Sequence, residues 1–164
     1  MKKYLAAMLV AGIMMLPFYA LSEGMVLMVE LPEDAQMVEN IAFEDGDFIQ
    51  TYQLNEGVKV QILRYESLGM TLEEMAYGEW AGYKHSEKMA LTEIDGYPAE
   101  GIRLEYEEEG NKLTVYLLMM DVQGQKLIFQ AVFGGEMDAQ QMDESMNTWI
   151  NTMTIHNPEE MEVG

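Results

Sequence analysis

The fold of this chain depends on residues 89–133, which read MALTEIDGYPAEGIRLEYEEEGNKLTVYLLMMDVQGQKLIFQAVF. Three dipeptides, Asp95-Gly96, Glu109-Gly110 and Gln123-Gly124, separate four segments that are rich in apolar residues. A polar residue followed by glycine suits the two-residue turns of β-hairpins, because both turn positions need a positive φ. The stretch therefore predicts an antiparallel meander with strands at residues 89–94, 99–107, 112–121 and 125–133.

The side chains also predict the register of this meander. With Glu109-Gly110 as the turn, apolar residues of one strand face apolar residues of the next, and an acidic residue faces a basic one. A slip of one residue would move the whole apolar set to the other face of the sheet. The expected pairs are Tyr106–Leu113, Leu104–Val115, Ile102–Leu117, Glu107–Lys112 and, at the next turn, Asp121–Lys126.

The strand at 112–121 is apolar on both faces, as is its neighbour at 125–133. Strands buried on both faces need cover on both sides of the sheet. Thr71 and Glu74 have the spacing of a capping box, which predicts a helix after them, and Asp138 is expected to cap a second helix. Their apolar stripes are Leu72, Met75, Ala76, Trp80 and Tyr83 in the first helix and Met142, Met146, Trp149, Ile150 and Met153 in the second.

Three further strands are expected before the first helix, at residues 25–31, 48–54 and 58–65. Residues 33–47 are polar and include Asp45-Gly46, which favours a loop with one helical turn. The predicted fold class is α+β, with an antiparallel sheet of about six to seven strands sandwiched between two amphipathic helices.

The N-terminus has the pattern of an export signal. Lys2 and Lys3 precede an apolar run from Tyr4 to Ala20, and small residues at Ala20 and Ser22 suit cleavage between Ser22 and Glu23. An uncleaved membrane anchor is the alternative, but the run is short of the about 20 residues that span a bilayer. We therefore predict a signal peptide at 1–22, a single domain at 23–155 and a flexible tail at 156–164. The expected location is secreted or at the cell envelope, without stable membrane insertion after cleavage.

Composition limits the possible functions. The chain has no cysteine, which excludes a lipid-modified lipoprotein and all thiol chemistry. Its net charge is −20, and loss of Lys2 and Lys3 makes the mature protein more acidic still. Nucleic acid and anionic lipid surfaces would both repel such a protein.

No catalytic or cofactor-binding residues are assigned. His85 lies beside Ser86, but neighbouring residues of an extended chain point in opposite directions, and no G-x-S-x-G elbow occurs. His156 falls in the predicted tail. Glu105 and Glu107 share a strand face, which is the ordinary pattern of a solvated face opposite a buried one.

No metal ligands are assigned either. The acidic clusters Glu44-Asp45-Gly46-Asp47 and Glu107–Glu109 lack the ligand spacing of a calcium loop. Seventeen methionines invite a Cu(I) interpretation, but most fall on predicted core stripes, where methionine is a flexible filler.

Several local features together resemble the secreted PsbP-like group that includes the DcrB family. The features are Leu31-Pro32 after an apolar strand, Val58–Tyr65 followed by the helix start Thr71–Glu74, the turn Ile94–Ala99 into a long meander, and Trp149–Met153 in a closing helix. The resemblance spans residues 25–155. It implies an α/β sandwich used for binding or assembly, and it transfers no site residue.

The sequence thus predicts an exported, non-enzymatic binding or accessory protein, whose partner is an unknown protein or small ligand at the envelope. Two alternatives remain: an envelope metal-binding protein that uses the acidic loops or methionines, and a small secreted hydrolase.

Overall fold

The computed structural model describes residues 4–6, 24–54, 57–65, 69–135 and 137–157. Two helices and twelve strands lie within these ranges: β1 (Tyr4–Ala6), β2 (Val26–Met28), β3 (Glu30–Pro32), β4 (Gln36–Ala42), β5 (Phe48–Gln53), β6 (Val58–Tyr65), α1 (Leu72–Glu79), β7 (His85–Lys88), β8 (Glu93–Ile94), β9 (Tyr97–Glu108), β10 (Asn111–Val122), β11 (Gln125–Gly134), α2 (Ala139–Thr152) and β12 (Thr154–His156). The main sheet has eight strands in the order β4-β5-β6-β11-β10-β9-β7, with β8 paired to β9. All of its pairings are antiparallel, which confirms an α+β protein with an antiparallel sheet.

The hairpin turns are those that the dipeptides predict. Asp95, Glu109 and Gln123 have φ angles of 50°, 50° and 54°, and the glycine after each has a φ of 79° or more. Two successive positive φ angles match the right-handed twist of the flanking strands, so each turn closes with two residues. All five predicted pairs occur in the ladders of β10 with β9 and β11.

Alternate residues of β10 belong to two separate hydrophobic clusters. Tyr116, Leu118 and Met120 lie in the larger cluster, which also contains Met146 and Trp149 of α2. Val115, Leu117 and Met119 lie in the second cluster, together with Leu72, Met75 and Ala76 of α1. This alternation is the expected result of successive side chains pointing to opposite faces.

Both predicted helix starts are confirmed as capping boxes. The Thr71 hydroxyl accepts from the Glu74 amide and the Glu74 carboxylate accepts from the Thr71 amide, while Asp138 and Gln141 form the same reciprocal pair before α2. The first helix is shorter than its apolar stripe predicts. Trp80 is its C-cap and Gly82 turns the chain at a φ of 88°, so Trp80 and Tyr83 lie beyond the helical turns.

The expected loop at 33–47 is wrong for its central part, which forms the seven-residue strand β4. Glu39 and Asn40 interrupt the apolar pattern, but the backbone gains a ladder with β5 from Gln36 to Ala42. Tertiary pairing overrides the weak local preference of these residues.

Two other expected strands are divided. The segment 25–31 forms β2 and β3, which pair with β12 and β1 outside the main sheet. Within 89–94 only Glu93–Ile94 is a strand, and the long pairing with β9 instead comes from His85–Lys88. The Met89 amide donates to the Gly101 carbonyl, after which the chain leaves the edge of the ladder.

Most of the predicted signal peptide lies outside the described residues, and Tyr4–Ala6 pairs with Glu30–Pro32 as β1. At the other end β12 reaches His156, the first residue of the segment predicted to be a tail. Within the described ranges, no helix has the length and apolar character needed to cross a bilayer.

Candidate binding surface

One row of side chains crosses four neighbouring strands on the α1 side of the sheet. The ladders place Glu39 beside Thr51, Thr51 beside Gln61, and Gln61 beside Gln130. These residues come from β4, β5, β6 and β11, so they are separated in sequence but adjacent in space. We call them the polar row.

The polar row is a continuous chain of hydrogen bonds with a single direction. The Trp80 indole N–H donates to Gln130 Oε1 at 3.2 Å, and Gln130 Nε2 donates to Gln61 Oε1 at 2.8 Å. Gln61 Nε2 donates to Thr51 Oγ1 at 3.1 Å, and the Thr51 hydroxyl donates to Glu39 Oε2 at 2.8 Å. A chain of aligned donors strengthens each member by polarisation, and this one ends on a solvent-exposed carboxylate.

The buried side chains of the polar row need these hydrogen bonds. Thr51 and Gln130 are only 1% and 4% exposed, and a buried amide or hydroxyl without a partner costs about 1–3 kcal/mol. Because each buried group has a partner within the row, the four side chains are held in one arrangement. The row is therefore a rigid polar feature of the sheet face.

Helix α1 covers the apolar continuation of the same row. Beyond Gln130 the ladders lead to Leu117 and Ile102, which pack in one cluster with α1. Trp80 stands at the boundary, where its ring meets Tyr106 edge-on at 5.3 Å and its N–H begins the polar row. Trp80 thus stands where the row across the strands changes from apolar to polar residues.

Exposed apolar residues border the polar row at the β4 edge. Ile41 lies across from Ile49 on the same face as Glu39 and is 38% exposed, and Phe43, which follows β4 in the hairpin, is 49% exposed. Ile49 itself is half-buried. We call the polar row together with Ile41, Phe43 and Ile49 the open face, because α1 packs mainly against β9 and β10 and leaves Ile41 and Phe43 exposed.

The electrostatic character of this region is acidic. Residues 33–58 contain seven Asp or Glu residues and no Lys or Arg. Burial, with the Glu79 and Asp47 carboxylates nearby, raises the pKa of the Tyr65 hydroxyl. Partial loss of water around Glu79 raises the pKa of that carboxyl as well.

The hairpin between β4 and β5 is held from the opposite face by Arg64, which is 1% exposed. Its Nε and Nη2 both donate to the Gly46 carbonyl, at 3.0 and 2.6 Å, and its guanidinium lies 4.9 Å from the centre of the Phe48 ring. Arg64 Nη1 also donates to the Met25 carbonyl at 3.3 Å. A side chain at Gly24 would meet this guanidinium at 2.7 Å, so glycine is needed there.

The residues weighed for catalysis lie apart. His85 and Ser86 are exposed on β7, across from Glu105 and Leu104, whereas His156 lies on β12 and contacts Thr154. Glu107 pairs with Lys84, which lowers the pKa of the Glu107 carboxyl by a hydrogen bond and by charge attraction.

The acidic residues and the methionines are the candidates for metal binding. No group of three His, Asp or Glu residues close enough to hold a metal ion occurs in the described part of the chain. The interpretation of methionine as core filler is confirmed for seven buried positions, Met25, Met75, Met119, Met120, Met142, Met146 and Met153.

Sequence reasoning missed the polar row. Gln130 carried a usable signal, since it is a polar residue within the otherwise apolar segment 127–133. Thr51 and Gln61 gave no such signal, because a polar residue in a half-buried strand is expected on the solvated face. Only the pairing of β6 with β11 brings Gln61 and Gln130 together.

Comparison with known proteins gives fold-level similarity. No family model matches the chain, and no curated protein matches it. The chain is similar to the solved structure of LpqN, involved in cell envelope biogenesis of Mycobacterium tuberculosis, with 15% identity, a TM-score of 0.49 and coverage of 80% of this chain and 84% of that one. It is also similar to PA94 from Pseudomonas aeruginosa, a protein of unknown function, with 14% identity, a TM-score of 0.44 and coverage of 79% and 93%.

Proposed function

We propose that this chain is an exported, non-enzymatic accessory protein of the cell envelope, which binds a partner protein through the open face. The observation that carries the proposal is the pair of exposed apolar residues Ile41 and Phe43 beside Glu39, the exposed end of the polar row. Interfaces combine apolar anchors with ordered polar groups, and exposed apolar residues beside a polar region mark such surfaces. The buried part of the row holds the Glu39 carboxylate in place, so little conformational entropy is lost when this exposed group meets a partner.

The chemistry of the open face supports binding over catalysis. Thr51 donates to Glu39, an arrangement that could resemble a nucleophile with its base. The hydroxyl is 1% exposed, however, and also accepts from Gln61, so a substrate atom cannot approach it. A nucleophile requires access as well as a base.

Export and family remain parts of the same proposal. In it, residues 1–22 are removed between Ser22 and Glu23, and the mature domain is a PsbP/DcrB-like sandwich with one helix on each side of the sheet. The two clusters around α1 and α2 support this arrangement. N-terminal sequencing of the protein recovered from culture supernatant and envelope fractions tests the export: Glu23 as first residue is expected, whereas Met1 would contradict cleavage.

Site-specific photocrosslinking tests the binding role. A photoreactive amino acid placed at Phe43 should crosslink a partner from envelope fractions, because this side chain projects from the open face. The matched control is Tyr77, which is an apolar residue at 70% exposure on α1 and lies outside that face. A partner captured from Phe43 and not from Tyr77 supports the proposal. Equal capture from both positions, or none from Phe43, refutes the open face as the binding surface.

A further inference from the structure

The two outer strands of the main sheet differ in how they meet solvent. β7 has four residues, His85–Lys88, which are all polar and exposed, and short charged strands discourage further pairing. β4 has seven residues without proline or lysine, and among the described residues no strand pairs with its outer side. Val38, at 60% exposure, and Ile41 are exposed apolar residues along it. β4 is thus the longer and more apolar edge, and its register irregularity is confined to the part between Met37 and Glu39.

The backbone groups that β4 offers can be identified. The Phe43 amide donates to the Asp47 carbonyl, so it points inward to the β5 side of the hairpin. Backbone groups of an antiparallel strand alternate between its two sides. The amides and carbonyls of Ala42 and Asn40 therefore point away from β5. The irregularity in register lies between Met37 and Glu39, so these positions belong to the regular part of the strand.

Charge indicates what kind of strand fits this edge. The seven acidic residues within 33–58 have no basic residue among them, and Glu39 and Glu44 are exposed at the strand and its turn. Of the two basic residues on β6, Arg64 lies buried beneath the hairpin on its other side, and exposed Lys59 lies beside Gln53, two strands away from β4. A second copy of this chain would bring two such acidic edges together, and like charges across an interface oppose association. A cationic segment would be attracted to the same edge and steered towards it.

We infer that β4 is a docking strand, which extends the main sheet by pairing with an extended, cationic segment of a partner protein. Main-chain hydrogen bonds at Asn40 and Ala42 give affinity, while Val38 and Ile41 offer apolar contacts to alternate side chains of the added strand. The inference rests on the proposed function and deepens it, since β4 forms the border of the open face. It names the binding mode and the charge of the partner.

Peptide binding to the full chain tests the inference. The probe is a short synthetic peptide of alternating lysine and valine, with blocked ends, measured by fluorescence anisotropy. Two control peptides separate charge from strand pairing: one has glutamate in place of lysine, and one keeps every lysine but carries a central proline. Binding of the first peptide alone is expected. Equal binding of the proline peptide would overturn the inference, since attraction without strand pairing would then suffice.

Hydrogen exchange of single amides gives a readout inside the protein. In the free protein the outward amides of Asn40 and Ala42 should exchange rapidly, while the inward amide of Phe43 is already protected. Adding the lysine–valine peptide should slow exchange at Asn40 and Ala42 by about tenfold or more when the site is mostly occupied. Phe43 is the internal control. Protection spread over the sheet, or absent at both outward amides, would overturn the inference.

A variant of β4 tests one of the proposed hydrogen bonds directly. Ala42→Pro removes an outward N–H without removing a bond to β5, and Ala42→Ser is the matched control that keeps the N–H. Peptide affinity should fall about tenfold or more in the proline variant only, where tenfold corresponds to 1.4 kcal/mol. If the proline variant does not fold, the exchange experiment on the unmodified protein still decides. Failure of the peptide to bind overturns the docking strand, whereas the crosslinking from Phe43 separately decides the open face.

Discussion

Replacing Tyr52 or Tyr116 with phenylalanine removes one oxygen atom from a buried side chain in each case. The two tyrosines are 2% and 1% exposed, and both belong to the larger hydrophobic cluster. Their hydroxyls differ in one respect. Tyr116 donates to Asp143 Oδ1 at 2.6 Å and accepts from Arg103 Nε at 3.2 Å, whereas the Tyr52 hydroxyl has no hydrogen-bond partner among the residues that the structure describes. The same substitution is therefore expected to change stability in opposite directions.

The magnitudes follow from these contacts. Hydrogen bonds to charged groups contribute about 1.5–3 kcal/mol, so Tyr116→Phe should lower the free energy of unfolding by about that amount. A buried hydroxyl without a partner costs about 1–3 kcal/mol, so Tyr52→Phe should raise the free energy of unfolding by a similar amount. The aromatic ring remains in both variants, which leaves the packing of the cluster in place. The two variants should differ by at least about 2.5 kcal/mol.

Urea unfolding, followed by the fluorescence of the two tryptophans, measures both changes. With slopes of about 1–3 kcal/mol/M, a change of 1 kcal/mol moves the midpoint by roughly 0.3–1 M, which is readily resolved. Each variant acts as the control for the other, because the atoms removed and the burial are the same. Destabilisation of Tyr52→Phe by as much as Tyr116→Phe would refute the assignment of an unpartnered hydroxyl in the core.

Three further results are expected. Burial raises the pKa of both tyrosines to about 12 in the folded protein, against 10.0 for the free side chain. The unfolded chain therefore ionises first, so the free energy of unfolding should not change through these groups below pH 10 and should fall as the pH rises from 10 to 12. Urea midpoints measured across this window should fall, and unchanged midpoints would contradict the shift. Gln130→Leu should lower the free energy of unfolding by about 1–3 kcal/mol because it breaks the polar row. The control is Gln140→Leu on the exposed side of α2, which should lower the free energy of unfolding by only about 0.2–0.5 kcal/mol. Equal losses in urea unfolding would show that the polar row adds no stability beyond that of an exposed pair. Gly101→Ala places a methyl group 2.8 Å from Leu118 Cδ2 and should destabilise by about 1–3 kcal/mol. Gly78→Ala in α1 meets nothing within 4 Å in the described part of the chain and should stabilise by about 1 kcal/mol. Thermal unfolding checks this contrast, and two shifts of the same sign would disprove it.

The parts of the fold that the sequence predicts are those specified by neighbouring residues. The turn at Glu109-Gly110 needs positive φ at both positions, and the residues beside it then pair in one register. The capping box at Thr71 and Glu74 is equally local, since the two side chains bond to each other's backbone within one helical turn. Both are visible in a window of a few residues, which is why pattern alone predicts them.

The parts that pattern misses depend on distant partners. β4 forms a strand because β5 supplies a ladder, although its own residues favour a loop. α1 ends at Glu79 because the chain turns through Gly82, which the apolar spacing to Tyr83 conceals. A periodic pattern records which side chains become buried and not where the backbone changes direction.

By itself, the sequence determines an acidic, cysteine-free α+β chain with a central antiparallel meander, because its turns, caps and alternating apolar residues act over short distances. Only the tertiary structure decides which polar side chains meet. Gln61 and Gln130 are 69 positions apart, and strand pairing alone makes them neighbours, so that half-buried Gln61 accepts a hydrogen bond from the buried Gln130 amide. The open face therefore depends on the order of strands in the sheet, because it combines residues from strands that are distant in sequence.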